Sequence, residues 1–501
     1  MRSLALAHEW SAHGGQVCFV TVQPRDELRR RMESIGARVV VIENPFPHPA
    51  DLESTLDTVA RLRARSVALP WMILDGYHFD FVYQRKIRST GCRLLVVDDN
   101  AHLSYYDADI VLNHGIHGPH IDYCTNDDAW CLLGTRYALL RPEFHPWRAF
   151  QRHVESRAKN ILVTLGGGDA DNLTRKVLRA LLQVDDVELE VKVLIGALNP
   201  HADELRALVA TSRNIAVHSD ASDPASLMAW ADMAIAAGGT TAWELAFMQL
   251  PALLLVLADN QEGVAAGIDH FGAARSLGRG DRLDEATIAA EVKKKAADVA
   301  LLRRMAAQGR RLVDGLGVER ILSAMAEREA FFSTANFYLR PATPDDRLLL
   351  WQWANDPVVR RSSFHTQAID WTEHEAWYVE KLASPDCRIW IMHIGALPVG
   401  QIRYERIGGD AAEISFSIAR GFRGKQLGTR LLEASGEQAL RELGVRWLQG
   451  AVRIDNEASC RAFLKAGFDR TKQEGRDGTP HWLFRRAAHV NGWLEDYVAV
   501  H

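Results

Sequence analysis

Arg423-Gly424-Lys425-Gln426-Leu427-Gly428 follows an apolar run, "ISFSIA", and leads into a helical pattern. At such a strand-to-helix turn, successive backbone N–H groups, the helix dipole and basic side chains together suit a pyrophosphate. Downstream, Asn456 follows another strand-like run and opens a helix that closes at Gly467-Phe468. Two more loops have the same logic. In "LVTLGGGDADN", Gly166 and Gly167 let the backbone approach a ligand, with Asp171 or Asn172 placed to cap the next helix. In "AIAAGGTTAWELAF", Gly238 and Gly239 lead into a helix, Thr240 and Thr241 add hydroxyls, and Glu244 stands one turn in, at reach of a ribose diol. Glycines after a strand often serve only a tight turn. Two such loops in one block, followed by "LADNQ", point to a nucleotide. The GxxxxGK[ST] loop of P-loop NTPases is not found.

The elements around these loops fall into three blocks. "VCFVTV", "ARVVVI", "WMILD", "RLLVVDD" and "DIVLN" read as buried strands between helical patterns. After the proline-bearing "RPEFHPW", a second series follows: "NILVTL", "LEVKVLI", "NIAVHS", "DMAIAA" and "PALLLVL". From Phe337 the pattern changes to consecutive alternating strands and then a long helix, which is α+β in character. The expected class is α/β, with two Rossmann-like domains at 1–147 and 148–333. An α+β domain at 337–486 and a tail at 487–501 complete it. "MRSLALAHEW" reads as a helix packed on a sheet, and a strand is expected to precede such a helix.

A length of 501 residues calls for more than one core. A net charge of -5 without a basic patch gives no sign of a nucleic-acid partner. Six scattered cysteines form no CxxC pair, so neither zinc nor disulfides are expected. No apolar run reaches membrane-spanning length, and the first residues do not make a signal peptide. A cytoplasmic enzyme is expected; oligomeric state is not legible.

The front of the chain, to about residue 320, resembles the UDP-sugar hydrolases of pseudaminic acid biosynthesis, which are GT-B-like. The motifs that carry this are "MRSLALA", "LDGYHFD", "VVDDNAH", "DIVLN", "LGGGDADN" and "ADNQ". The resemblance implies hydrolysis of UDP-2,4-diacetamido-2,4,6-trideoxy-L-altrose. It also implies UDP held by Gly238, Gly239, Thr240, Thr241 and Glu244, with Asn260 and Gln261 facing the sugar or diphosphate. Tyr77, Asp98 and Asn100 would line the cleft, with Tyr77 as a catalytic residue and Asp98 and Asn100 on the sugar. The family's catalytic histidine belongs to a G-x-G-H-x-x-R loop whose arginine matches Arg2, so it has no counterpart in this chain. His8 and His13 do not replace it, and an in-frame upstream continuation is expected.

Residues 337 to 486 resemble the GNAT family of acetyl-CoA-dependent N-acetyltransferases. The resemblance gives the Arg423–Gly428 loop to the acetyl-CoA pyrophosphate, Asn456 to pantetheine and Glu413 to proton abstraction; Glu405 and His365 are weaker choices. Gln426 replaces a usual glycine. Phe463 replaces a tyrosine that protonates the departing thiolate in many members. Together the resemblances imply a bifunctional enzyme that N-acetylates the 4-amino group of a UDP-amino sugar and removes UDP from the product. A GT-B glycosyltransferase and a non-hydrolytic UDP-sugar-binding module are the other readings.

Overall fold

The computed structural model describes residues 2–64, 70–154, 156–166, 169, 171–184, 188–196, 199–219, 223–330, 337–476 and 479–487. The chain divides into two compact units, Met1–Leu322 and Ser323–His501. The expected tail and Gly167 lie outside the described residues. Among the described residues no helix is long and apolar enough to cross a membrane.

In the front unit, strands Trp71–Asp75, Arg93–Val97, Ile110–Asn113 and Trp130–Leu133 form one parallel sheet in that order. Cys18–Thr21 and Arg38–Val41 form a separate parallel pair. Helix Arg2–Ala12 buries Leu4, Ala5, Leu6 and Ala7, as its apolar run predicts. Gly14 then takes the left-handed conformation (φ 82°) that ends a helix.

A second, six-stranded sheet is parallel throughout. Its order is Arg275–Arg279, Ala252–Val256, Met233–Ala237, Asn160–Thr164, Glu190–Leu194, Ile215–His218. Chain direction across the sheet therefore reverses between Met233–Ala237 and Asn160–Thr164. Ligands of open α/β sheets bind in the crevice at such a switch point, beyond the strands' carboxyl ends. The two glycine loops leave from these two strands.

The second unit has one seven-stranded sheet: Phe337–Pro341, Cys387–Ile394, Leu397–Arg406, Ala411–Ile418, Trp447–Arg453, Thr479–Ala487, Asp469–Arg476. All neighbours are antiparallel except Ala411–Ile418 with Trp447–Arg453. These two pair only at Ala411, Ala412 and Glu413, facing Trp447, Leu448 and Gln449, and part beyond that point. Helix Leu427–Leu443 packs on one face, where Tyr404 and Ser435 hydroxyls lie 2.8 Å apart. Helix Trp371–Ala383 covers the other, with Tyr378 against Ile389 and Ile391.

His374 of that helix is buried, with Nε2 3.0 Å from the Arg347 carbonyl. Burial pushes its pKa down from the usual 6.5 to about 4. Because the unfolded chain takes up the proton first, the stability held above pH 6.5 falls as pH drops from 6.5 toward 4. A shift of that size corresponds to about 3 kcal/mol at the acid end. Replacing His374 with Gln, which can still donate to the Arg347 carbonyl, is expected to flatten this acid limb in urea unfolding at pH 7 and pH 4.5.

Candidate functional site

The front unit gathers polar side chains where its first parallel sheet ends. Arg2 donates from Nε to Asp75 Oδ1 (2.8 Å) and from Nη1 to Asp99 Oδ2 (3.1 Å). The Ser3 hydroxyl donates to Asp75, and the Tyr77 hydroxyl to Asp99. Burial alone would raise the Asp99 pKa; the Tyr77 hydroxyl and the Arg2 guanidinium hold it below the usual carboxylate range. Tyr77 is 42% exposed, and burial together with Asp99 pushes its hydroxyl up to about 12, so it remains a donor. His114 is 1% exposed. Burial and the Arg2 charge lower its pKa to about 4, which keeps it neutral.

Asp98 does not line this cleft. It is fully buried, and its carboxylate accepts from the Asn100 amide (2.8 Å), the Ala101 amide (3.1 Å) and the Tyr106 hydroxyl. His102 Nδ1 lies 2.7 Å from it as well. The carboxylate on the Tyr77 side is that of Asp99, its neighbour. Asn100 is exposed, and its amide is tied to Asp98.

The two glycine loops at the switch point differ. Gly166 adopts φ 82° with open space where a Cβ would stand, so its glycine serves the turn itself. The cap expected from Asp171 or Asn172 comes instead from Asp169, whose carboxylate accepts from the Leu173 (2.7 Å) and Thr174 (2.9 Å) amides. Those first-turn amides are therefore occupied. Asn172 adopts φ 51° and donates to Glu204 (3.0 Å). Helix Thr241–Phe247, by contrast, has no side-chain cap at Thr240. Gly238 sits tightly there: a Cβ would meet Ala265 Cβ at 3.2 Å and the Gln261 carbonyl at 3.3 Å. Gln261 holds the Leu257 amide through Oε1 (3.0 Å), and Asn260 is exposed.

Glu244 departs from expectation. It is buried, and both its oxygens accept from Arg141, at 2.6 and 2.8 Å. Burial pushes its carboxyl up and the guanidinium opposes this. The pair ties the two halves of the front unit together, so Glu244 is a structural anchor and not a free ribose ligand.

In the second unit the opening between Ala411–Ile418 and Trp447–Arg453 leads to the Arg423–Gly428 turn. Gly424 (φ 77°) and Gln426 (φ 60°) are both left-handed, and Gln426 gives helix Leu427–Leu443 no side-chain cap. First-turn amides of a helix have no intrahelical acceptor, so those of Leu427, Gly428 and Thr429 are set for an anion. Arg423 is committed elsewhere: Nε donates to the Ile418 carbonyl (3.0 Å) and Nη2 pairs with Asp356 (2.9 Å). It fixes the start of the turn in place of contributing a phosphate contact. Asn456 accepts from the Ser459 amide (3.2 Å) as a helix cap.

Glu413 stands at the last paired position before the strands part, opposite Glu405. Glu405 is itself engaged by Lys381 (2.9 Å). Two residues on, Ser415 is exposed although its strand is central, which marks an open groove on that face. Phe463 is buried against Phe484 (ring centroids 4.9 Å apart, stacked), Phe468 and Phe416. Among the described residues no group of three or more His, Cys, Asp or Glu is placed to hold a metal.

Residues 336–469 match the model of the acetyltransferase (GNAT) domain family. This segment is a GNAT acetyltransferase domain. A domain from Methanocaldococcus jannaschii, solved by crystallography, is 21% identical; the match covers 31% of this chain and 99% of that one, with a TM-score of 0.27. Over 499 residues the chain is 24% identical to an uncharacterized protein of the same organism, covering 96% of this chain and 95% of that one. In its N-terminal half it is 28% identical over 246 residues to the spore coat polysaccharide biosynthesis protein SpsG of Bacillus subtilis, covering 48% of this chain and 72% of SpsG.

Within the acetyltransferase domain, Gln426 takes a backbone conformation that glycine adopts without penalty. Left-handed φ costs a side-chain-bearing residue about 1–2 kcal/mol, partly offset by the lower unfolded-state entropy of glutamine. Replacing Gln426 with Gly is expected to stabilise the domain by about 1 kcal/mol in urea unfolding and to leave acetyl transfer intact, because the turn's amides keep their positions.

Proposed function

We propose that the chain acts on a UDP-linked amino sugar in two ways. Its second unit transfers an acetyl group from acetyl-CoA to the sugar's 4-amino group. Its front unit removes UDP from UDP-2,4-diacetamido-2,4,6-trideoxy-L-altrose by water attack, a step in making sialic-acid-like (pseudaminic) sugars. The observation that carries this reading is the parted strand pair of the acetyltransferase domain, with Glu413 at its apex and the uncapped Leu427 helix beyond. The spore coat polysaccharide relative supports a sugar for the front unit, as do the uncapped Gly238–Thr241 turn and the switch point.

For acetyl transfer, the thioester-bearing arm fits between the diverging strands, whose inner backbone groups have no ladder partner there. The diphosphate is received by the amides of Leu427, Gly428 and Thr429. Acetyl-CoA supplies the activated acyl group; the chain's own part is to orient the amine and take its proton. Glu413 takes that proton as the amine nitrogen bonds to the acyl carbon, and the C–S bond breaks to release thiolate. With Phe463 in an apolar cluster, the thiolate draws its proton from water.

The test supplies the UDP-4-amino sugar and acetyl-CoA and follows free thiol and UDP separately. Thiol should appear only when the amine is present, with UDP release following. Thiol formation that ignores the amino sugar, or none at all, would remove the acetyltransferase half; thiol without UDP would remove the hydrolytic half.

A further inference from the structure

The sheet face of the second unit that carries Glu413 also carries an arginine in an uncommon setting. Strand Leu397–Arg406 runs antiparallel to Ala411–Ile418, with Glu405 opposite Glu413 and Arg403 opposite Ser415. Opposed residues, and residues two apart on a strand, share a face, so these four side chains stand together. Helix Trp371–Ala383 covers part of that face, and the Arg403 guanidinium lies over its Trp377 ring, 5.1 Å from the centroid. Other arginines of this unit are committed: Arg340 to Asp346 (2.7 Å), Arg406 to Asp386 (3.0 Å) and Arg423 to Asp356 (2.9 Å). Arg403 Nε comes only within 3.7 Å of Glu405, beyond hydrogen-bond length. Lys381 holds that carboxylate more closely, at 2.9 Å.

A guanidinium resting on an aromatic face keeps its N–H donors in its own plane, where a bidentate oxyanion can meet them. The Arg403 side chain is 25% exposed, and Ser415 opposite it is exposed, so the groove reaches those donors. Arg403 is also the diagonal neighbour of Glu413, and such neighbours are about 7–8 Å apart. A pyranose ring sets a comparable span between an amine on carbon 4 and a phosphate on carbon 1. An amine placed at Glu413 therefore brings the phosphate of its own sugar to Arg403.

We infer that Arg403 receives the diphosphate of the acceptor, and so makes the acetyltransferase select a sugar amine still joined to a nucleoside diphosphate. This rests on the acetyl-transfer half of the proposed function. Trp377 holds the guanidinium in place, and Lys381 balances Glu405, so the Arg403 charge is left for the substrate. The diphosphate of acetyl-CoA is assigned elsewhere, to the Leu427–Thr429 amides, and the two do not compete.

Initial rates of thiol release by the full chain test this with two acceptors, the UDP-4-amino sugar and the same amino sugar without UDP. Arg403→Gln is expected to raise KM for the UDP-linked acceptor by about 10–100-fold, the worth of charged hydrogen bonds to a phosphate. Its kcat, its KM for acetyl-CoA and its kcat/KM for the free amino sugar should stay within about threefold of wild type. A merely structural role would lower turnover of both acceptors alike. Arg403→Lys, a point charge without the planar fork, should recover part of the loss. Ser415→Glu, at an exposed position, sets a carboxylate against the same phosphate and should give the same selective loss. Equal losses for the two acceptors, or an unchanged KM for the linked one, in either Arg403→Gln or Ser415→Glu would overturn the role of Arg403 alone. A wild type that takes both acceptors with equal kcat/KM would overturn the nucleotide-linked reading and this inference with it.

Discussion

Glu413→Gln is expected to lower kcat for acetyl transfer by about 10²–10³-fold while leaving the KM for acetyl-CoA within about twofold. The split follows from position. Glu413 is the last residue to pair with the neighbouring parallel strand, so its side chain stands where the sheet opens. The groups assigned to the diphosphate, the amides at Leu427–Thr429, are at the far end of the same opening and are untouched by the change. Glutamine matches glutamate in shape but cannot take a proton at neutral pH, so binding should persist while the amine stays protonated. Raising the pH should recover part of the lost rate, because the substrate amine then sheds its proton to solvent. Glu405→Gln is the control: its carboxylate is held by Lys381 and should matter far less. Equal losses in the two variants would argue that this strand face acts through its overall charge.

Arg141→Met is expected to destabilise the front unit by about 3–5 kcal/mol, because it leaves the Glu244 carboxylate buried without its partner. The paired change Arg141→Met with Glu244→Leu should return most of that loss, since apolar groups of similar volume replace a desolvated ion pair at little net cost. UDP affinity in the double variant decides between two roles for Glu244. An affinity within about threefold of wild type fits the anchor described above; a loss of about tenfold or more would restore it as a ribose ligand. Urea unfolding followed at pH 7, with calorimetric titration of UDP, supplies both numbers.

The strands that mattered most were legible because they are buried on both faces. "DIVLN", "DMAIAA" and "PALLLVL" read as continuous apolar runs, and the corresponding strands are buried throughout. Trp130–Leu133 and Arg275–Arg279 were not anticipated. Both are edge strands, and the second mixes arginine, serine and glycine with one leucine, so its apolar signal is weak. The turn at Arg423–Gly428 was also legible, since two glycines and a following helix leave few other conformations.

Side-chain commitments were not legible, because a partner distant in sequence decides them. Nothing near Glu244 announces Arg141, and nothing near Arg423 announces Asp356. Asp98 and Asp99 are adjacent and chemically identical. Only the fold decides that the first turns inward to Tyr106 and its own loop, while the second faces Tyr77 and Arg2.

In the proposed order of steps, one chain acetylates a sugar amine while the sugar is still attached to UDP. Mass spectrometry of the nucleotide product, quenched early in a reaction of the purified chain with acetyl-CoA and the UDP-4-amino sugar, tests it most directly. The expected product is a UDP-sugar heavier by one acetyl group, borne on the 4-nitrogen and formed before free UDP accumulates. A UDP-sugar of unchanged mass alongside an acetylated free sugar would contradict it, because UDP would then have left before the acetyl group arrived.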